Sequence, residues 1–185
     1  MSTTTPTRLY YTDSDEANEL LATDPLALLI GFALDQQVSV QTAFLGPLKI
    51  KQRLGTLEIA RRDPAEVEAA FRETPAVHRF PGSMAARVQD LCALVEDEYG
   101  GDASRLWREA PDSDDLRKRI KALPGFGEMK IKALSAVLAK RFGVEVAEGL
   151  APSHPTLGDV DSREALEAYQ EKKRAYKAKM RAEHR

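Results

Sequence analysis

The residues whose types and spacing most plainly suggest chemistry are Leu123, Pro124, Gly125, Phe126 and Gly127, which break two stretches of helical character. Proline stops the first stretch because it lacks an amide hydrogen and restricts the residue before it. The two glycines permit positive φ and put no Cβ between the backbone and an incoming partner. The next helix is predicted to begin at Glu128, so its free amides and those of Gly125 and Gly127 point outward from a helix end carrying about half a positive charge. That is chemistry for an anion, phosphate above all, and Lys130 and Lys132 add charge in the following turns. On the pentapeptide alone, an ordinary tight turn between antiparallel helices accounts for the same residues equally well.

A second charged feature is the end of the chain. From Glu171 onward it holds Lys172, Lys173, Arg174, Lys177, Lys179, Arg181 and Arg185 against only Glu171 and Glu183. Such a helix either lies along phosphates, with strong salt dependence, or is a solvated, frayed end. His78 and His154 are not at metal-ligand spacing with other ligands, and the single cysteine, Cys92, rules out an internal disulfide framework and any four-cysteine metal site. No metal ligand set is expected.

Helices must position these groups, because almost every segment reads as helix. Asp24-Pro25 pairs an N-cap with a first-turn proline, and the apolar run after it reads as a buried central helix over 26–34. Further helices are predicted over 39–54, ended by Gly55, and from Asp63-Pro64 through 72. Met84, Val88, Leu91, Cys92 and Val95 fall at helical spacing in a stretch opened by Gly82-Ser83 and ended by Gly100-Gly101. Asp112 or Ser113 caps a helix reaching Ala122, and Ile131, Leu134, Val137 and Leu138 form one stripe of a helix from Glu128 to about Phe142. Residues 144–161, with Gly149, Pro152, Pro155 and Gly158, read as an extended connector, and the tail from Ser162 as helix. The start, 1–11, reads as a short flexible lead. Nothing combines β-branched alternation with hairpin turns, so the expected class is all-α.

At 185 residues, 43% hydrophobic and 30% charged, the chain suits one unit over 1–185 with a real interior: a helical core over 25–143, then the connector and basic C-terminal helix over 144–185. The net charge of −2 means that any nucleic-acid binding must come from local patches and backbone donors. No apolar run approaches the roughly 20 residues that cross a bilayer, and the start lacks the order of a secretory signal. The expectation is a soluble cytoplasmic monomer that does not engage membranes, nucleoid-associated if bacterial.

Three stretches in order carry a resemblance. LPGFGEMKIKAL resembles the helix-hairpin-helix of the HhH-GPD superfamily of DNA glycosylases, usually LPGVG followed by a helix. FPGSMAARVQDLCALVEDEYGG, at 80–101, resembles the helix preceding the hairpin in endonuclease III-like members, and its spacing to the hairpin fits. LDQQVSVQTAF, at 34–44, is similar to the GQQVSVKAA motif of 3-methyladenine DNA glycosylase II, with Asp35 in the glycine's place. Together they cover roughly residues 25–143.

The resemblance implies an all-α bundle of two lobes that grips double-stranded DNA through Gly125, Phe126, Gly127 and Lys130, bends it, and flips a damaged nucleotide into a cleft. It assigns the side chain that fills the vacated gap to the Gln36-Gln37 pair, Gln37 foremost. The lysine that forms a Schiff base in bifunctional members is Met129 here, and Lys130 lies about 100° further round the helix. The family's iron–sulfur cysteines are absent too. Both absences favour a monofunctional enzyme with no cofactor beyond a monovalent cation at the hairpin. Such an enzyme still needs a carboxylate to stabilise the sugar's developing positive charge and to orient water. The family's position for it, near 148–150, holds no aspartate. Asp159, in HPTLGDVDS, is the first substitute, Asp35 beside the glutamines the second, and Asp161 the third. Aromatic faces for an electron-poor base are available at Trp107, Tyr10, Tyr11, Phe44 and Phe80, with Trp107 read as packing between helices. The function implied is a base-excision-repair glycosylase that hydrolyses the N-glycosidic bond of a damaged, alkylated base. The alternative is a catalytically inactive DNA-binding or damage-sensing module, and the least favoured reading is a helical adaptor without DNA affinity.

Overall fold

The computed structural model describes residues 5–184. Met1–Thr4, part of the anticipated flexible lead, and Arg185 of the basic tail lie outside them. Among the described residues all regular structure is helical. The helices are α1 (Asp15–Thr23), α2 (Pro25–Leu34), α3 (Val40–Leu54), α4 (Pro64–Arg72), α5 (Pro81–Tyr99), α6 (Arg105–Arg108), α7 (Ser113–Lys121), α8 (Glu128–Phe142), α9 (Glu145–Glu148) and α10 (Arg163–Glu183), with one 3-10 turn at Leu157–Asp159.

Helix α2 is central. The Asp24 carboxylate accepts the Leu26 amide at 3.0 Å, Pro25 needs no acceptor, and every residue from Leu26 to Leu34 is buried. Each large apolar side chain fully buried in this way is worth roughly 1.5–3 kcal/mol. Helix α3 lies against it at short range: a Cβ on Gly31 would collide with the Phe44 ring, and one on Gly46 with Leu34. Replacing either glycine by alanine would force the facing Phe44 or Leu34 side chain to shift. Helix α1 packs on both, and α5 packs on α2 and α4. Helix α8 forms a second centre, touched by α7, α9 and the 3-10 turn.

Segments on both sides of 25–143 join the interior, which the sequence did not suggest. Leu9 and Tyr11 are buried, so the lead is anchored well before α1, and the Tyr11 hydroxyl donates to the Leu157 carbonyl at 2.9 Å. Ala147, Leu157, Val160 and Leu166 add to the same core from the other side, so it extends beyond 25–143. The stretch 144–161 is correspondingly more than an extended connector: it holds α9 and the 3-10 turn, whose Thr156 and Asp159 form a reciprocal cap. No single helix among the described residues is long and apolar enough to cross a membrane.

Candidate nucleic-acid interface

The hairpin between α7 and α8 is built from both of its ends. The Asp112 carboxylate accepts the Asp115 amide at 2.8 Å to start α7. Past its end, the Leu123 amide donates to Ile120 and the Phe126 amide to Leu123. Gly125 takes φ +79°, which a side chain rarely tolerates. Leu123 and Phe126 are buried and anchor the turn, while Gly125 and Gly127 are exposed. The first α8 amide with a helical acceptor is that of Ile131, which donates to Gly127 at 3.0 Å. The amides of Gly127, Glu128, Met129 and Lys130 therefore precede the ladder, and no side chain caps the helix. A Cβ on Gly127 would meet nothing within 4 Å. The turn is thus open to a partner on the side where its donors lie. Glu128, which would oppose an anion there, is ion-paired with Arg117. The carbonyls of Leu123 and Gly127 already accept the Phe126 and Ile131 amides, so a monovalent cation would find only their second lone pairs.

The loop between α2 and α3 meets this hairpin through two cations. Arg87, on α5, donates from Nη1 to the Gln36 side-chain oxygen at 2.5 Å. Its Nε lies 2.8 Å from where a Cβ on Gly125 would stand. Lys130 reaches from the first turn of α8 to the Ala33 carbonyl at 3.2 Å, at the C-terminal end of α2, and passes 5.5 Å from the Phe126 ring centre. Burial, reinforced by the nearby Arg87 charge, pushes the Lys130 ammonium down to about 8. Gln36 and Gln37 are exposed at the tip of the loop, and Gln37 is the only non-glycine residue among those described with positive φ, at 59°. His78 holds the loop from beneath. Its Nδ1 accepts the Phe80 amide at 3.0 Å, so the hydrogen sits on Nε2, which faces the Leu34 and Gln36 carbonyls at 3.0 and 3.1 Å. Burial lowers its basicity, and the Arg87 and Lys130 charges lower it further, against the pull of the two carbonyls.

The aspartates separate. Asp35 follows α2, at the base of the loop that carries Gln36 and Gln37. Burial raises its carboxyl above the usual range, and the ammonium groups of Lys173, Lys130 and Lys177 act in the opposite direction. A carboxylate at the negative end of a helix is further disfavoured. Asp159 is elsewhere, in the 3-10 turn. Lys140 reaches both of its oxygens at 2.9 Å, and the Thr156 amide donates to one at 2.7 Å. Burial alone would raise its carboxyl, but these donors together hold it below the usual range. It borders a cavity of about 390 Å³ with Lys140, Tyr169 and Lys172. Asp161 is exposed and precedes the actual α10 cap, Ser162.

Most of the aromatic candidates are structural. Tyr11 and Phe32 pack tilted and edge-on against Phe44 inside the core, with centroids 5.0 and 5.1 Å from it, and Trp107 is buried. Phe80, 40% exposed, sits beside His78 at the glutamine loop. Tyr169 on α10 is half-buried, and its phenol is raised by burial and by the neighbouring Asp35 charge. Met129 stands 85% exposed at the start of α8. No group of three or more His, Cys, Asp or Glu side chains that could hold a metal occurs among the described residues.

Three partners of the site escaped the sequence: Arg87, His78 as a loop clamp, and Tyr169. Their roles come from contacts across 38 to 134 positions, for which no local pattern exists. Comparison of the chain with protein-family models, with curated proteins and with solved structures produced no match.

Proposed function

We propose that this protein binds double-stranded DNA and acts as a monofunctional DNA glycosylase of the helix-hairpin-helix type, hydrolysing the N-glycosidic bond of a damaged base. The hairpin grips one strand by its phosphates, the exposed Gln36-Gln37 tip enters the gap left by the flipped nucleotide, and the two groups of helices around α2 and α8 serve as the two lobes. A single observation carries the reading. The open amides of the hairpin, the glutamine tip and a half-buried carboxylate with raised proton affinity are tied to one face by Arg87 and Lys130.

In this reading Asp35, rather than Asp159, is the catalytic carboxylate. It sits at the base of the glutamine tip, where a flipped sugar would arrive, and carries no direct ion pair. Ionised, it stabilises the positive charge developing on the sugar and takes a proton from the attacking water, help typically worth 10²–10⁴-fold. Asp159 is already committed to Lys140 and to its cap. Met129 at the position of the family's Schiff-base lysine accords with hydrolysis rather than strand cleavage.

The test uses duplexes carrying single defined lesions at enzyme excess. The expected result is release of a damaged base by the native protein, lost in Asp35→Asn with duplex binding intact. Binding without release from any lesion would leave the DNA-binding module that does no chemistry, and absence of salt-sensitive binding would remove the DNA reading altogether.

A further inference from the structure

Helix α10 is the longest helix of the described chain and the least embedded. It is held at its N-terminal third: Leu166 is buried, Tyr169 half-buried, and Gln170 exchanges side-chain hydrogen bonds with Gln41 of α3 at 2.5 and 3.1 Å. Beyond Gln170, every residue through Lys179 is exposed. The 13 residues from Glu171 to Glu183 project about 20 Å at 1.5 Å per residue.

The face of this projection matters more than its total charge. Lys173 and Lys177 stand seven and eleven residues after Leu166, so they continue the buried side of the helix past the point where the body ends. Arg174 and Arg181, four and eleven residues after Gln170, flank that line. The inward face therefore turns from apolar to cationic. The helix leaves the body beside the glutamine loop, since Gln170 is hydrogen-bonded to Gln41 in the first turn of α3. Within 171–183 six cations face two carboxylates, while the whole chain carries −2, so an acidic body bears one basic arm.

Four of the six cations stand on or beside that line, and Lys172 and Lys179 lie on the other side of the helix. We propose that the inward face of α10 beyond Gln170 is a phosphate-contacting arm that closes over the DNA lying on the hairpin and glutamine tip, with Lys173, Arg174, Lys177 and Arg181 as its contacts. This rests on the DNA reading above and adds to it a second grip on the duplex, away from the hairpin amides. A phosphodiester backbone matches the arm because it offers regularly spaced negative charges over the same length. The arm need not read sequence, and its contribution is affinity rather than base choice.

The experiment measures duplex affinity against salt for the full chain and for two variants. In one, Lys173, Arg174, Lys177 and Arg181 become glutamine; in the other, Lys173 and Lys177 become arginine. The residues are exposed, so circular dichroism and melting are expected to match the native protein. Each phosphate contact contributes about 0.9 to the slope of log affinity against log salt, so the glutamine variant should lose about 3 to 4 from that slope while the arginine variant keeps it. A native slope retained by the glutamine variant, with binding still weakened by Gly127→Val, overturns the arm and leaves the hairpin reading standing. No salt-sensitive binding by the native chain overturns both.

Discussion

Arg87 bridges to Gln36 across 51 positions of sequence, donating to its side-chain oxygen at 2.5 Å while its stem lies over Gly125. One guanidinium thus touches both the turn that would hold phosphate and the tip that would enter the duplex. A phosphate arriving at the hairpin competes for that guanidinium and frees Gln36. Arg87→Met keeps the stem and removes the charge. Because the pair is exposed, stability should change by less than about 1 kcal/mol. Duplex affinity should fall, with a salt slope smaller by about 0.9. An unchanged slope in a fluorescence titration would show that Arg87 touches no phosphate.

The two hairpin glycines should respond oppositely to substitution. At Gly125, φ is +79° and a Cβ would stand 2.8 Å from Arg87 Nε, so Gly125→Ala should cost about 1 kcal/mol or more in denaturant unfolding. At Gly127 the backbone is extended and the space empty, so Gly127→Val should cost no more than about 1 kcal/mol, the penalty of a poorer N-cap. Its side chain would nevertheless occupy the approach to the free amides, and duplex affinity should drop at least about tenfold, which corresponds to 1.4 kcal/mol. A Gly127→Val protein that is as stable and binds as well as the native one would place the phosphate elsewhere.

Asp35 and Asp159 are separable by pH and by stability. Asp35 must be ionised to act, and burial raises its proton affinity, so activity should rise with pH through a limb lying above the ordinary aspartate range near 3.9. Asp159→Asn should leave that limb in place. It should instead cost about 0.5–2 kcal/mol of stability through the lost cap on the Thr156 turn. Pre-steady-state base release from pH 4 to 8 reads the first effect and thermal unfolding the second. A limb abolished by Asp159→Asn and kept, with activity, in Asp35→Asn would reverse the assignment.

Gln37 carries backbone strain that serves the tip. A left-handed conformation costs a non-glycine residue about 1–2 kcal/mol. Gln37→Gly should therefore stabilise the fold by roughly 1 kcal/mol. It should at the same time reduce the fluorescence rise of a 2-aminopurine base flipped from the duplex. A glycine variant that flips the base as well as the native protein would show that the Gln37 side chain fills no gap.

How far the sequence carried this far depends on the range of the interactions involved. Helices α2, α3, α4, α7 and α8 were legible because their signals are local: Asp24-Pro25, Ser39, Asp63-Pro64, Asp112 and the glycines at 55 and 143 start or stop them within one turn. The hairpin was legible for the same reason. Helix α1 was missed although Ser14 caps it, since only four of its nine residues are buried and the lead before it is polar. Tyr11 is bonded to the carbonyl of Leu157, 146 positions away, and no window contains both. Likewise, nothing local distinguishes Arg87 from Asp90 or Glu96 on α5, and the environment of Asp35 is set first by burial and then by the charges of Lys173, Lys130 and Lys177. Residue types named the candidates, and long-range packing set the surroundings of each.

His78 ties the stability of the glutamine tip to pH. Its Nδ1 is occupied as an acceptor by the Phe80 amide, so protonation would bring two hydrogens together and break that contact. The folded pKa lies below the unfolded value near 6.5. Below that value the unfolded chain binds more protons than the folded one, and unfolding becomes easier as pH falls. The His78 contribution is thus fully present above about pH 6.5 and is lost progressively as pH falls from there toward the folded pKa. His78→Gln removes the titration, so its unfolding free energy should be lower at pH 7.5 yet flatter between pH 7 and 5 than that of the native protein. The cost at pH 7.5 should be about 1–3 kcal/mol, because one flexible amide must replace both the ring acceptor of the Phe80 amide and the ring donor to the Leu34 and Gln36 carbonyls. Urea unfolding at both ends of that range gives the answer: equal pH slopes for the two proteins would mean that the imidazole is not held neutral under the loop.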